Sequence, residues 1–334
     1  ETTTQRIHLF CSRLAKVVET DFSKFDGSIS MWLRLHVEYR IMRILIREKH
    51  RTAFYKLWAQ DHTLTGWTKT GVKYETNGSR ASGSQTTTVG NTLINAFVAF
   101  AAHRNAGLGP LHAFKSIGPK FGDDGIDEHG PEYKRTATDL GLSLKEDVRS
   151  TTKYVHFCGR RYLFPRYFCS SVFDVLKGVS SLCLSISGKS YDDKIRGYIA
   201  VDPKAPLLSN YARAIARVRG IDLNVALENN VYDAHDPREG PFPYDEVNTR
   251  EIAIVMISEE SGAGVEDIER LIQDLDACDT LKKLDEIAAY SPLRLKAVRP
   301  DPAVVMVPTA TEEVCRNRDR MKDPKARTNR GAAK

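Results

Sequence analysis

Lys120-Phe121-Gly122-Asp123-Asp124-Gly125-Ile126-Asp127 sets two adjacent carboxylates between two glycines, with apolar residues on either side. A glycine-bounded acidic pair with apolar flanks reads as a tight strand–turn–strand that holds its carboxylates at the tip. Alone the stretch is weak. At average residue usage a Gly-Asp-Asp triplet arises by chance in roughly one chain in twenty of this length, and an isolated one is a solvated turn more often than a site. Its weight depends on what the other stretches supply.

Two of them matter. Upstream, Ala15-Lys16-Val17-Val18-Glu19-Thr20 reads as a strand that delivers Asp21, and Asp26 follows five residues later in a turn. A helical pattern then begins at Met31, with Ser30 as its N-cap and Trp32, Leu35, Val37, Ile41, Ile44 and Leu45 as buried candidates. The bland reading of both aspartates is turn and cap duty. The second stretch runs from Ser79 to Asn91, a Ser/Gly/Thr loop entering a long helix that carries Leu93, Ile94, Phe97, Val98 and Phe100. Thr87 and Asn91 are four apart and share a helical face. N-capping explains one polar residue there but not a stripe, because buried polar side chains need partners.

Around these the chain reads as mixed. Helices are expected over 5–14, 52–59 and 131–140, the last ended by Gly141, with hairpins over 64–76 (turning near Gly71) and 154–164. Beyond about Pro165 the pattern becomes helical, over 171–185, 207–219 and 265–277, with a proline-rich loop at 236–243 and no internal repeat.

Composition sets the outer bounds. The 334 residues are 41% hydrophobic, enough for a sizeable core, and no apolar run approaches the length of about 18 needed to cross a membrane. Lys and Arg number 49 against 43 Asp and Glu, a net +6 that suits a nucleic-acid partner without requiring one. Part of that excess lies in the basic run 316–334, read as a solvated, disordered end. The six cysteines, at 11, 158, 169, 183, 278 and 315, form no C-x-x-C pair and read as reduced cytosolic thiols. The N-terminus, Glu1-Thr2-Thr3-Thr4, lacks an initiator Met and a signal-peptide pattern, so a piece of a longer polypeptide is expected.

Taken together, Asp21-x4-Asp26, then Ser82-Gly83-x3-Thr87-x3-Asn91, then Gly122-Asp123-Asp124 resemble the three central motifs of viral RNA-dependent RNA polymerases, in order and at their coarse spacing. The resemblance covers roughly residues 15 to 165. Its detail, Asp-Phe-Ser-Lys-Phe-Asp-Gly and the Ser-Gly-x3-Thr loop, is similar to replicases of positive-strand RNA viruses, nodaviruses and their relatives.

The resemblance implies an α+β fold: a right-hand palm of antiparallel sheet with helices over 1–165, finger elements inserted at 45–80, a mainly helical thumb over 166–298 and a tail over 299–334. It implies template-directed RNA synthesis by attack of a 3′-hydroxyl on an α-phosphate, assisted by two Mg²⁺ ions, with Mn²⁺ as a substitute. The metal ligands would be Asp21, Asp123, Asp124 and the Phe22 carbonyl, hard oxygens of the kind Mg²⁺ prefers. Of these, Asp123 should carry the metals and Asp124 be the more replaceable. Asp26, with Asn91 and Ser82 or Thr87 and the Gly83 turn, would read the ribose 2′-hydroxyl. Lys145 would protonate pyrophosphate, with Lys134, Arg135 and Lys153 as neighbours in the same region. Cys158, Gly159 and Arg160 (or Arg161) would support the primer end, and Arg213, Arg217 and Arg219 lie on one helical face that could follow RNA or simply be solvated.

The partners so implied are RNA template and product, NTPs, upstream replicase regions carrying fingers and a membrane anchor, and a second copy of the chain. The expected location is a membrane-associated replication complex in the host cytoplasm. Only about 20 residues precede Asp21, so the chain alone is expected to be inactive or weak. Two rivals remain: a reverse transcriptase, which would be expected to put a bulky gate at Asp26, and a non-catalytic RNA-binding subunit that keeps the palm as scaffold.

Overall fold

The computed structural model describes residues 2–76, 78–182, 191–224 and 249–291. Its first helix, α1 (Thr3–Cys11), opens with a capping box: Thr2 Oγ1 accepts from the Gln5 N–H while Gln5 Oε1 accepts from the Thr2 N–H. Next come β1 (Lys16–Phe22), α2 (Phe25–Ser28), α3 (Met31–Leu33), a π-helical turn at Arg34–Glu38, α4 (Tyr39–Leu45) and α5 (Arg51–Gln60). A small hairpin, β2 (Thr65–Trp67) and β3 (Lys73–Glu75), precedes α6 (Thr87–Asn105) and α7 (Pro110–Lys115). Then follow β4 (Lys120–Phe121), β5 (Asp124–Glu128), α8 (Tyr133–Asp139), β6 (Leu144–Ser150), β7 (Tyr154–Phe157), β8 (Arg160–Leu163) and β9 (Ser171–Phe173). The remaining described elements are helices: α9 (Val175–Leu182), α10 (Tyr191–Val201), α11 (Leu208–Arg219), α12 (Thr249–Ser261), α13 (Val265–Asp276) and α14 (Leu281–Tyr290). The mixture of helices with antiparallel sheets is the α+β class expected.

The strand β1 lies inside a four-stranded sheet of order β4-β5-β1-β6, antiparallel to both neighbours. Successive side chains of a strand point to opposite faces, and here both faces are covered. Val18 and Phe22 join Ile94, Val98 and Ala102 of α6 and Tyr133 and Ala137 of α8 in one core. Val17 faces the other way, with Ile7 and Cys11 of α1, Ile126, and Val155 and Tyr162 of the β7–β8 hairpin. A third and larger core gathers the helices from α9 onward with Leu163 and Val172. The sheet β7-β8-β9 pairs residues on either side of Pro165, joining the strand-rich half to the helical one. No helix among the described residues is long and apolar enough to cross a membrane.

Several expectations change. Of the candidates placed in the core of the helix from Met31, Val37 is buried, but Trp32, Leu35, Ile44 and Leu45 are exposed. Leu33, Arg34 and Glu38 go inward beside Val37, because Glu38 is taken by the buried Arg80 guanidinium and the Trp58 indole, and Arg34 lies against Asp61. Residues 171–173 of the expected helix over 171–185 are strand, because they pair with β8 and the Phe173 N–H is taken by the buried Asp202 carboxylate; the helix begins at Val175. The edge strand β6 is not legible in the sequence because its exposed run Lys145-Glu146-Asp147-Val148 carries little apolar alternation. Helices α10, α12 and α14 were also unanticipated. The loop at 236–243 and the tail from 299 lie outside the described residues.

Gly118 offers a check on this packing. A Cβ there would run into the Ile126 carbonyl, a backbone atom that cannot yield. Gly118→Ala should therefore lose about 1–3 kcal/mol of stability. Gly197→Ala, in open space on α10, should be neutral or gain about 0.5–1 kcal/mol. Denaturant midpoints of the two variants measure both.

Candidate active site

Register brings the acids together. Thr20 pairs with Gly125 and Asp21 with Lys145, so Asp21 leaves the end of β1 beside the turn between β4 and β5 that carries Asp123 and Asp124. Gly122 turns the chain with φ +61°, and its N–H donates to Thr92 Oγ1 at 2.8 Å. The buried Asn95 amide donates to the carbonyls of Gly122, Asp123 and Asp124 at 3.2, 3.2 and 3.1 Å. Gly125 is required on its own account, since a Cβ would meet Thr20 Oγ1 and Lys120 Nζ. The third acid of the stretch, Asp127, is buried and paired with Lys120, so its role is structural.

A second cluster forms around Asp26. Asn91 Nδ2 donates to Asp26 Oδ1 at 2.7 Å, and Ser82 Oγ donates to Oδ2. The loop between them is pinned by the Arg80 N–H on the Asp26 carbonyl at 2.8 Å and by Thr87 Oγ1 on the Ala81 carbonyl at 3.2 Å. Gly83 takes φ +93° with nothing crowding it. Ser84 and Thr86 both donate to Asp61, tying the loop to the end of α5.

The two clusters share one open cleft of about 660 Å³, whose walls include Asp26, Ser82, Asn91, Asp123 and Asp124. Phe22, stacked on Phe25 at 4.1 Å, and Lys24, at φ +53°, also line it. Asp21 and Lys145 face an adjoining hollow of about 490 Å³, which meets the cleft at Asp124 and Cys158. The Asp124 carboxyl is held above its ordinary range, first by burial and then by the Asp123 and Asp21 charges, while hydrogen bonds from Cys158 pull the other way. The Cys158 thiol, pushed up to about 12 by burial and by Asp124, stays protonated as a donor.

Not every candidate lies as the motifs suggested. Lys145 Nζ lies 3.5 Å from Asp21, an exposed pair on the hollow's rim. Cys158 (φ +51°) and Gly159 (φ +71°) form the tip of the β7–β8 hairpin beside Asp124. Arg160, expected to meet a phosphate, turns inward to Asp202, the Ser171 carbonyl and Ser171 Oγ. Arg161 does likewise, to Asp174 and Glu260. Both are drawn in because the buried acids of the helical half need cationic partners. Arg217 caps α13 through the carbonyls of Leu275, Asp276 and Cys278, and Arg213 donates to the Pro203 carbonyl. Arg219 lies over the Tyr191 ring. Sequence reading passed over Thr92, Asn95 and Arg80. Asn95 was findable, because it continues the i, i+4 series of Thr87 and Asn91 by one more turn.

Among the described residues no group of three or more His, Cys, Asp or Glu side chains stands ready to chelate a metal unaided. The donor set of Asp21, Asp123 and Asp124 nonetheless suits Mg²⁺, which binds through one or two carboxylates and keeps other positions for water and substrate phosphate. The mutual repulsion felt at Asp124 is what a cation would relieve.

A family model described as RNA dependent RNA polymerase matches residues 3–113. The chain is similar to the RNA-directed RNA polymerases of Pariacoto virus (32% identical over 222 residues, 62% of this chain and 22% of the relative) and greasy grouper nervous necrosis virus (34% over 211 residues, 60% and 22%). That of Flock house virus is 29% identical over 217 residues, 62% of this chain and 22% of the relative. These matches bear out the nodavirus-like resemblance; the chain spans about a fifth of the length of these relatives. The insertion-loop deletion mutant of a human picorbirnavirus RNA-dependent RNA polymerase superposes with a TM-score of 0.52 at 14% identity, covering 81% of this chain and 54% of that one. That likeness is one of fold.

Asn95→Ala removes the donor shared by three carbonyls. It should lower stability by about 1–3 kcal/mol and speed amide exchange at Gly122 and its neighbours, read by hydrogen exchange with Val89→Ala, on the exposed face of α6, as control.

Proposed function

We propose that this chain is the catalytic core of an RNA-directed RNA polymerase from a nodavirus-like positive-strand RNA virus, with residues 1–165 as palm and 166–298 as thumb. The observation that carries the reading is the meeting of two clusters at one cleft: Asp26–Ser82–Asn91 on one wall and the Asp123–Asp124 turn on another, with Asp21 beside it. The kinship with viral polymerases supports the same reading.

The division of work follows from the side chains. Each Asp26 oxygen accepts one hydrogen bond from the protein and keeps a lone pair, and Asn91 retains a second amide hydrogen. Together they can accept from and donate to a ribose 2′-hydroxyl, which is both donor and acceptor. Asp21, Asp123, Asp124 and the Phe22 carbonyl would hold two Mg²⁺ ions, or Mn²⁺, which when bound make the 3′-hydroxyl more acidic and offset charge on departing pyrophosphate. Asp124, desolvated and repelled by the Asp123 and Asp21 charges, is a costly carboxylate to ionise, which favours Asp123 as the principal ligand. Lys145, beside Asp21, is the candidate to meet pyrophosphate, and the Cys158-Gly159 tip the candidate rest for the primer end. Template, NTPs and the upstream replicase regions are the partners required.

Primer extension tests this, with the chain joined to its upstream region. Asp21→Asn and Asp123→Asn should each cut RNA synthesis by about a hundred- to a thousandfold, Asp124→Asn by less, and EDTA should abolish it. Equal synthesis by Asp123→Ala and the parent removes the polymerase reading. Asp26→Ala should narrow the preference for ribo- over deoxyribonucleotides, and a parent with no such preference favours a reverse transcriptase.

A further inference from the structure

Arg80 is absent from the walls of the cleft, yet its side chain is fully buried and held in every direction. Nε donates to Asn91 Oδ1 at 2.7 Å and Nη2 to Glu38 Oε2 at 2.5 Å. Nη1 reaches the carbonyl and hydroxyl oxygens of Thr86, each at 3.4 Å. Glu38 is itself buried, with its other oxygen accepting from the Trp58 indole N–H at 3.2 Å. A separate feature of α6 makes room for this arrangement. A Cβ on Gly90 would stand 2.5–2.8 Å from three guanidinium atoms, so any side chain there would push Arg80 out of its slot.

We propose that Arg80 is a positioning residue for sugar selection: it fixes the orientation of the Asn91 amide, and through it decides which sugar the cleft admits. The proposal rests on the polymerase reading above.

The reason is polarity. An asparagine amide has two ends of nearly equal size, an acceptor and a donor, and flipping it reverses what it offers. Arginine has donors only, so the end beside Nε must be Oδ1. That turns Nδ2 toward Asp26 and leaves its second hydrogen for the cleft. The flipped amide would set an acceptor against the Asp26 carboxylate and a donor against the guanidinium, both repulsive. Glu38 makes the lock tolerable by neutralising the buried cation. With the amide so held, a 2′-deoxy sugar leaves an Asn91 hydrogen and an Asp26 lone pair unmet, and a site built to bond a hydroxyl discriminates strongly against its absence. Lysine at 80 would keep the charge but not the donor aimed at Asn91.

The test compares ATP and dATP incorporation on one primed template by the chain joined to its upstream region, as parent, Arg80→Lys and Gly90→Ala. In both variants the ratio of kcat/KM for ATP over that for dATP should fall about tenfold or more, with the dATP value within about threefold of the parent's. Asn91→Ala added to Arg80→Lys should lower the ratio no further, because Arg80 acts through Asn91. A parent that makes no RNA overturns the polymerase reading and this proposal with it. A parent that makes RNA while Arg80→Lys keeps the ratio, or loses ATP and dATP use equally, overturns this proposal alone. Should Arg80→Lys not fold, as its melting curve would reveal, Gly90→Ala retains every buried charge and decides in its place: an unchanged ratio there overturns the proposal.

Discussion

Everything in the strand-rich half depends on one seven-residue strand being hydrogen-bonded along both edges. The strand β1 gives one edge to β5 and the other to β6, and buries Val17 and Val18 on opposite faces. The strand β5 is paired on both edges too, but with only two residues of β4, so β1 is the member of the sheet with least freedom to slide. A one-residue slip would exchange the two valines between cores and carry Asp21 away from the acidic turn. The position of the Asp21 carboxylate is thus settled by apolar packing several residues upstream of it. Because both neighbours are antiparallel, the tip of the β4–β5 turn returns to the end at which β1 delivers Asp21.

The helix α6 does the corresponding work for the rest of the site. Its first turns carry Asn91 against Asp26, the next residue holds the Gly122 N–H through Thr92, and Asn95 holds the carbonyls of the acidic turn. Farther along, Ile94, Val98 and Ala102 bury against the sheet. Polar residues on the core side of a helix need partners; Asn91 finds the Asp26 and Arg80 side chains, while Thr92 and Asn95 find the backbone of the acidic turn.

What the sequence made legible, and what it hid, follows from how local each signal is. The acidic turn, the strand before it and the Ser/Gly/Thr loop were readable because each is a short run whose residue types have one main structural use: glycines at a positive φ, alternating valines, a polar stripe four residues apart. Asp26 with Asn91 was readable as a pair only through the family's motif order, since nothing local links residues 65 apart. The inward face of Arg34 and Glu38, in place of Trp32 and Leu35, was hidden because the partners that hold them, Arg80, Trp58 and Asp61, come from elsewhere in the chain. The inward turn of Arg160 and Arg161 was hidden too. Their acidic partners Asp202 and Glu260 lie about 40 and 100 residues further along the chain, just past α10 and within α12, where no local pattern links them.

A single α-helix that reaches both the Asp26–Ser82–Asn91 cluster and the acidic turn acts as a ruler between them. Asn91 and Asn95 are one turn apart, about 6 Å along the axis, and that separation is a property of the backbone rather than of any side chain. If α6 rocks or shifts, both ends of the ruler move together, so the two clusters stay in gauge with each other. The arrangement also limits how such a protein can diversify. Side chains at the tip of the rod can be exchanged one at a time, but a change of pitch between Asn91 and Asn95 disturbs the acidic turn at the same moment.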